Sequence, residues 1–295
     1  MTEDVAKPRT RSDQRAPRAA PQDSASPAPP TGRQVAAARR QREGGYIVGV
    51  QVLLVLVLVA GMYALNAVAG KLTMPRPDAV LDQSIRMWSD GTMLKGLGES
   101  LTVVGLGFLL SATSGIAIGI LLGGFRVLGR IFDPFVNAMN STPGAAFIPL
   151  IIVWFGLYTE AKVVVVWNAA VFPILINTAA GVANANKDLV EMGQAFGARR
   201  ARLFWSIMVP DALPSILSGL RIGAAICTVG TVIAELTMAQ SGLGGLLAAA
   251  GNRFQMDRYF AVVIVLMVLG TLITALLRLA ERRFARWRVS LADGR

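Results

Sequence analysis

Residues 188–214 read DLVEMGQAFGARRARLFWSIMVPDALP and form the longest polar interruption between two strongly apolar segments of the chain. Asp188 followed by Glu191 places acceptors at the N-cap and third position of a helix, where the free amide protons need them. Leu189, Met192 and Phe196 then fall on one face at helical spacing. Gly197 interrupts that helix where the chain turns, and Arg199, Arg200 and Arg202 follow. Pro210 and Pro214 are expected to break the next helical run before another apolar stretch begins. The stretch predicts a short, capped, one-sided helix within a loop, a shape suited to docking into another body.

Outward from this loop the chain is apolar. Its 295 residues are 54% hydrophobic and 16% charged, with mean hydropathy +0.53, more apolar and less charged than a soluble domain. It reads as an integral membrane protein. Six spans are expected at roughly 46–69, 101–122, 135–157, 163–182, 216–237 and 259–278, each near the ~20 apolar residues that cross a ~30 Å hydrocarbon layer. The expected fold class is therefore all-α, a polytopic membrane helical bundle of about six transmembrane helices within a 46–285 domain. Residues 1–45, rich in Pro, Ala, Arg, Gln and Ser, are expected to be a disordered basic tail, because they bury too little apolar surface to offset the entropy of ordering. They have no apolar core directly after a short basic stretch, as a secretory signal would. A second tail is expected at 286–295.

An even number of spans puts both termini on one side, and the basic residues choose it. Of the 29 Lys and Arg, 21 lie in the first tail, the 123–134 loop, the 183–215 loop and the C-terminal end, against 7 in the opposite loops. By the positive-inside rule both termini and the 183–215 loop are cytoplasmic.

Several spans carry polar or small residues. The second has Gly105, Gly107, Ser111, Ser114, Gly115 and Gly119, a small-residue stripe that lets helices approach closely in lipid. The third has Asn137, Asn140, Ser141, Thr142, Pro143 and Pro149, a polar and kinked first half expected to face the bundle interior. The fourth has Asn168 and Asn177, and the fifth has Arg221 and Glu235. These polar groups serve either interhelical hydrogen bonding or the lining of a solute path. Arg221 and Glu235 are fourteen residues apart, about 21 Å along a helix, so they need not be a functional pair. After Glu235 a glycine-loosened segment from Ser241 to Phe254 is expected on the outer side, as a gate or a loop.

The inventory restricts function. There is no His, and Cys227 is the single cysteine, so catalytic residues and metal ligands are not expected. No GxxxxGK[ST] phosphate loop occurs; Gly70-Lys71 is followed by Leu72. No inverted repeat relates the halves, as it does in many self-contained secondary transporters. These absences leave a passive pathway whose energy arrives through residues 188–214.

Those residues resemble the EAA loop of permease subunits of bacterial ATP-binding-cassette importers, patterned Glu-Ala-Ala, three residues, Gly, nine residues, Ile, one residue, Leu-Pro. Glu191, Gly197, Ile207, Val209 and Pro210 keep that spacing. Met192 and Gly193 replace the two alanines and Val209 the leucine; Gly193 is expected to loosen the helix by ~1 kcal/mol relative to Ala. Phe147–Leu150 with Trp154–Gly156, Phe172–Asn177 and Ser241–Gly244 look like the nitrate, sulfonate and taurine group of these permeases. The resemblance covers about 46–285 and implies a type I importer fold with a coupling helix at Glu191–Gly197 that docks in an ATPase groove. It implies as partners separate ABC ATPase subunits, an extracytoplasmic solute-binding protein and a second permease copy in a homodimer within the lipid bilayer. It implies no cofactor and no nucleic acid.

Overall fold

The computed structural model describes the backbone of residues 32–292 apart from 72, 239 and 240, and the side chains of 46 and 49–279 apart from the same three. The chain divides into two compact units, Met1–Val57 and Leu58–Arg295. The described part of the first is the N-terminal portion of helix α1 (Gly32–Ala69), in which Val52 to Val57 are exposed. The helix begins fourteen residues before the tail boundary expected at 45/46. Ala36 to Glu43 are Ala, Arg, Gln and Glu, strong helix formers that need only propagate a helix nucleated in the apolar run. Residues 1–31 of the expected tail lie outside the described residues.

The second unit continues with α2 (Pro77–Ser89) and α3 (Thr92–Gly124). Between them the Thr92 side chain, together with its N–H, which donates to Asp90 Oδ1 at 2.8 Å, holds the Asp90 carboxyl below the ordinary carboxylate range. Then come α4 (Arg126–Ser141), a 3₁₀ turn at Gly144–Phe147, α5 (Ile148–Phe155), α6 (Thr159–Ala183), α7 (Lys187–Ala195) and α8 (Arg200–Leu203). A π turn at Phe204–Met208, α9 (Val209–Met238), α10 (Gly242–Asn252) and α11 (Met256–Ala292) complete it. Among the described residues five helical runs are long and apolar enough to cross a membrane, and a bent pair makes a sixth when it is counted as one span.

That pair corrects the third expected span and the expected 123–134 loop. α4 starts directly after α3 and meets Gly144–Phe155 at 88°. Arg126, Arg130, Asp133, Asn137 and Asn140 recur every three or four residues, the spacing of one polar helix face rather than of a loop. The break follows from Pro143, which keeps Thr142 extended (ψ 128°). Pro149 falls in the first turn of α5, where its missing N–H is not needed.

The expected helix break at Pro210 and Pro214 is also corrected. Arg200–Met238 is one continuous helical run, with both prolines inside it. The π turn ending at Met208 resets the hydrogen-bond register just before Pro210, whose ring would otherwise crowd the carbonyl four residues earlier. The segment after Glu235 is neither loose nor a loop, since α10 buries Gly242, Leu243, Gly244, Gly245, Leu247 and Ala250. α11 is helical past the boundary expected at 286, to Ala292; 293–295 lie outside the described residues.

At the centre, α6 packs between α3 and α9. The small residues of α3 permit this. A Cβ on Gly107 would meet Val166 Cγ1 at 2.4 Å, one on Gly119 the Leu175 carbonyl oxygen at 2.8 Å, and one on Gly123 the Ala179 carbonyl oxygen at 2.5 Å. The working stripe is Gly107, Ser111, Gly115, Gly119 and Gly123, all buried; Gly105, expected within it, faces open space.

Candidate functional site

Three places along the α3–α6–α9 core stand out, two by their hydrogen bonding and one by its shape. At one end, α7 stands out from the core. Its N-cap is Asn186, whose Oδ1 accepts the Asp188 N–H at 2.9 Å, so the cap lies two residues before the expected Asp188. The shift reflects competition between neighbouring caps, since Asn at N-cap serves the same amide protons. The Asn186 N–H donates to Asp211 Oδ2 at 2.9 Å, tying the start of α7 to the first turn of α9. At the other end of α7 Gly197 adopts φ +74°, and a Cβ there would meet nothing within 4 Å.

Leu189, Met192 and Phe196 are exposed, Phe196 at 85%. Glu191 is exposed beside them. On the opposite side Gly193 approaches so closely that a Cβ would lie 2.5 Å from Leu203 Cδ2 and 3.0 Å from Ile207 Cδ1. Ile207 thus backs α7 from behind, whereas Pro210 is exposed in the first turn of α9. Phe204 packs beside the end of α3: a Cβ on Gly124 would meet its ring at 2.3 Å, and its ring centroid lies 6.4 Å from that of Phe125.

Midway, a cleft of about 420 Å³ opens between the 3₁₀ turn, α6 and α9, lined by Pro143, Gly144, Ile148, Val165, Ala169, Ile226 and Val229 among others. Its wall is almost wholly apolar, and none of the eight expected path residues lines it. Asn137, Asn140, Ser141 and Thr142 are exposed on α4 and its C-cap, a helix that touches α3 and α6 yet buries none of its own residues; the expectation that they face the bundle interior of this chain is corrected. Asn168 is half-buried near Gly144, whose Cβ would lie 3.7 Å from Asn168 Nδ2. Asn177 Nδ2 donates to the Pro173 carbonyl of its own helix at 2.8 Å. Arg221 is half-buried on α9.

At the far end of α9, Glu235 is fully buried. Ser100 Oγ lies 2.9 and 2.8 Å from its two carboxylate oxygens, and the Gly244 N–H donates to Oε2 at 2.8 Å. The Leu243 N–H donates to Ser100 Oγ at 2.8 Å and the Gly242 N–H to Glu99 Oε2 at 2.7 Å. Three unpaired amides at the start of α10 are thereby satisfied from α3 and α9, with two carboxylates at the positive end of the helix dipole. Buried Lys162 of α6 adds Nζ bonds to the Ser241 hydroxyl and carbonyl. The glycines of Ser241–Gly244 are required here: Gly242 has φ +83°, and a Cβ on it would lie 1.9 Å from Glu235 Oε1. Sequence reasoning missed Glu99, Ser100 and Lys162, since Ser100 and Glu235 are 135 residues apart. A Glu in an apolar span, with glycines seven and nine residues after it, was the available signal.

The described residues hold no group of His, Cys, Asp and Glu arranged for a metal. An exposed apolar helix face, an apolar cleft and a buried hydrogen-bonded clamp thus lie along one helical core.

Residues 115–286 match the family model described as "Binding-protein-dependent transport system inner membrane component". The taurine transport system permease protein TauC of Escherichia coli (strain K12) is 31% identical over 240 residues, 80% of this chain and 87% of the relative. The putative aliphatic sulfonates transport permease protein SsuC of Bacillus subtilis (strain 168) is 30% identical over 246 residues, 83% of this chain and 89% of the relative. The formylaminopyrimidine transport permease protein ThiX of Halalkalibacterium halodurans is 29% identical over 215 residues, 73% and 86% respectively. Among solved structures, a chain of the MetNI methionine ABC transporter in an inward-facing conformation has the same fold at 21% identity, TM-score 0.56, over 66% of this chain and 94% of that one.

Proposed function

The chain belongs to the inner membrane components of binding-protein-dependent transport systems, and from that premise we propose that it is the permease subunit of an ATP-driven importer, carrying a nitrate-, sulfonate- or taurine-type solute by alternating access. In this reading it sits in the cell membrane with both termini cytoplasmic, works with ABC ATPase subunits and an extracytoplasmic solute-binding protein, and pairs with a second copy of itself.

The observation that carries the reading is α7. It presents exposed Leu189, Met192 and Phe196 on one side and is braced on the other by Leu203, Ile207 and the Asn186–Asp211 bond. Glu191, Met192 and Gly197 form the ATPase-facing surface, while Gly193, Ile207 and Pro210 join it to α9. Closure of the ATPase dimer pushes α7 as a rigid lever. Its motion passes into α9 through Ile207 and Asp211, and into the end of α3 through Phe204. The core then exchanges inward-open and outward-open packings, which differ in contacts rather than chemistry. The apolar cleft acts as the constriction, and half-buried Asn168 of α6 and Arg221 of α9, on the two helices that wall it, provide polar steps.

The solute class rests on the taurine and sulfonate relatives. The formylaminopyrimidine relative favours a second reading on the same scaffold, a pyrimidine vitamin precursor.

The test is uptake by cells expressing the chain with its cognate ATPase and binding protein. Labelled taurine should enter and be competed by aliphatic sulfonates; competition by formylaminopyrimidine alone selects the second reading. The ATPase should co-purify, and its absence would favour a channel-like protein over either reading. Gly197→Val should insert in the membrane yet lose uptake, because a β-branched residue resists the left-handed region by about 1–2 kcal/mol, whereas Gly197→Asn should keep most of it. Normal uptake by the Val variant removes the coupling role from this turn.

A further inference from the structure

Helix α2 carries none of the coupling or path residues, yet its three sides have three different surroundings. At thirteen residues it is about 20 Å long, too short to cross the ~30 Å hydrocarbon layer. Val80 and Met87 are buried against Met93, Leu243, Leu247 and Val262. Leu81, Ile85 and Trp88, at spacings of four and three, form a second side and are 65%, 60% and 46% exposed. Asp78, Asp82 and Arg86, at spacings of four, form the third and are also exposed, with Arg76 Nη2 3.0 Å from Asp78 Oδ2.

A charged row that runs the length of a helix needs water along the whole length, so α2 does not stand upright in hydrocarbon. The apolar row needs cover along the same length, so α2 does not stand clear in water. A helix lying flat at the boundary satisfies both. Its place in the fold agrees: α2 packs against α11, whose 256–279 segment is a membrane span. It also leads directly into α3, at the end of the core where Glu235 clamps α10. Trp88 adds the residue type that favours the headgroup level.

We propose that α2 lies in the plane of the leaflet remote from α7, with Leu81, Ile85 and Trp88 among phospholipid acyl chains and Asp78, Asp82 and Arg86 in water. In that position α2 sets the depth at which the adjoining ends of α3 and α11 sit in the bilayer. The proposal rests on membrane residence alone and stands whichever solute is carried.

Full-length chain with Cys227→Ala, spin-labelled at Leu81→Cys, Ile85→Cys, Trp88→Cys, Asp78→Cys or Asp82→Cys, is reconstituted in phosphatidylethanolamine–phosphatidylglycerol vesicles. At 81, 85 and 88 collisions with oxygen should exceed those with a water-soluble nickel chelate several-fold, and at 78 and 82 the order should reverse. Chelate access at all five positions places the helix in water and overturns the proposal. Protection from both agents at 81, 85 and 88 means that a protein covers this side and overturns it equally. The unmodified chain provides a second reading: a phospholipid with a diazirine near the headgroup end of its acyl chain should crosslink to Leu81, Ile85 or Trp88. Absence of crosslinks within 77–89 also overturns it.

Discussion

Glu235 carries a carboxylate inside a membrane helix, where an isolated charge costs roughly 2.5–3.5 kcal/mol on insertion scales. Ser100 and the Gly244 amide offset that cost, and Lys162 lies in the same buried end of the core. Glu235→Ala should orphan the Ser100 hydroxyl and the Gly244 N–H, each a loss of about 1–3 kcal/mol. Glu235→Gln keeps one acceptor oxygen and should fall between. Gly242→Ala should also destabilise, through both its positive φ and the clash of the added Cβ with the Glu235 carboxylate. Thermal unfolding of the purified chain in detergent measures all three, and a Tm unchanged in Glu235→Ala would show that the clamp carries no stability. The Gly193 departure from the loop pattern is explained at this scale too. Read as a loosened helix, it is instead the position where α7 comes within reach of Leu203 and Ile207, a contact that helix propensity does not register.

Among elements, α3 and α6 meet along the small-residue stripe, and the two kinds of glycine in α3 make a controlled comparison. Gly119→Ala must push a Cβ into the Leu175 carbonyl and Thr178, both on the rigid face of α6, and should separate the helices. Gly105→Ala enters open space and should be neutral or stabilising by up to about 1 kcal/mol, the helix-propensity difference. Unfolding midpoints of the two variants should therefore move apart; equal values would mean that close approach is not what α3 is built for. The stripe was legible because its period is helical. The polar face of α4 was equally legible in its spacing, but Arg126 and Arg130 read as loop charges as long as the third span was taken to begin at 135.

For the whole molecule, the bent pair decides topology. α3 and α6 run parallel, with Gly107 against Val166 and Gly119 against Thr178, so Arg126–Ser141 with Gly144–Phe155 carries the chain back across the core as one crossing, and the described residues make six. The charge distribution, 21 against 7 basic residues, then favours α7 on the cytoplasmic side. In a Cys227→Ala background, Phe196→Cys in sealed cells should then resist a membrane-impermeant maleimide until the membrane is opened, and Tyr158→Cys should react at once. The reverse pattern would place α7 outside and overturn the orientation drawn from the basic residues.

Membrane residence, the all-helical class and a short helix ending at Gly197 were determined by the sequence alone. Hydrophobic length, capping residues and helical period are local quantities, set by residues within a few turns of one another. The position of Asn186 as the cap, the continuity of α9 through Pro210 and Pro214, and the 88° break were decided where neighbouring local signals compete. The burial of Ser241–Asn252 as a helix and its capture by Glu99, Ser100, Lys162 and Glu235 were decided only in the tertiary structure. Those partners come from separate helices, and a carboxylate in a span reads the same in sequence whether it lines a path or closes the end of a bundle.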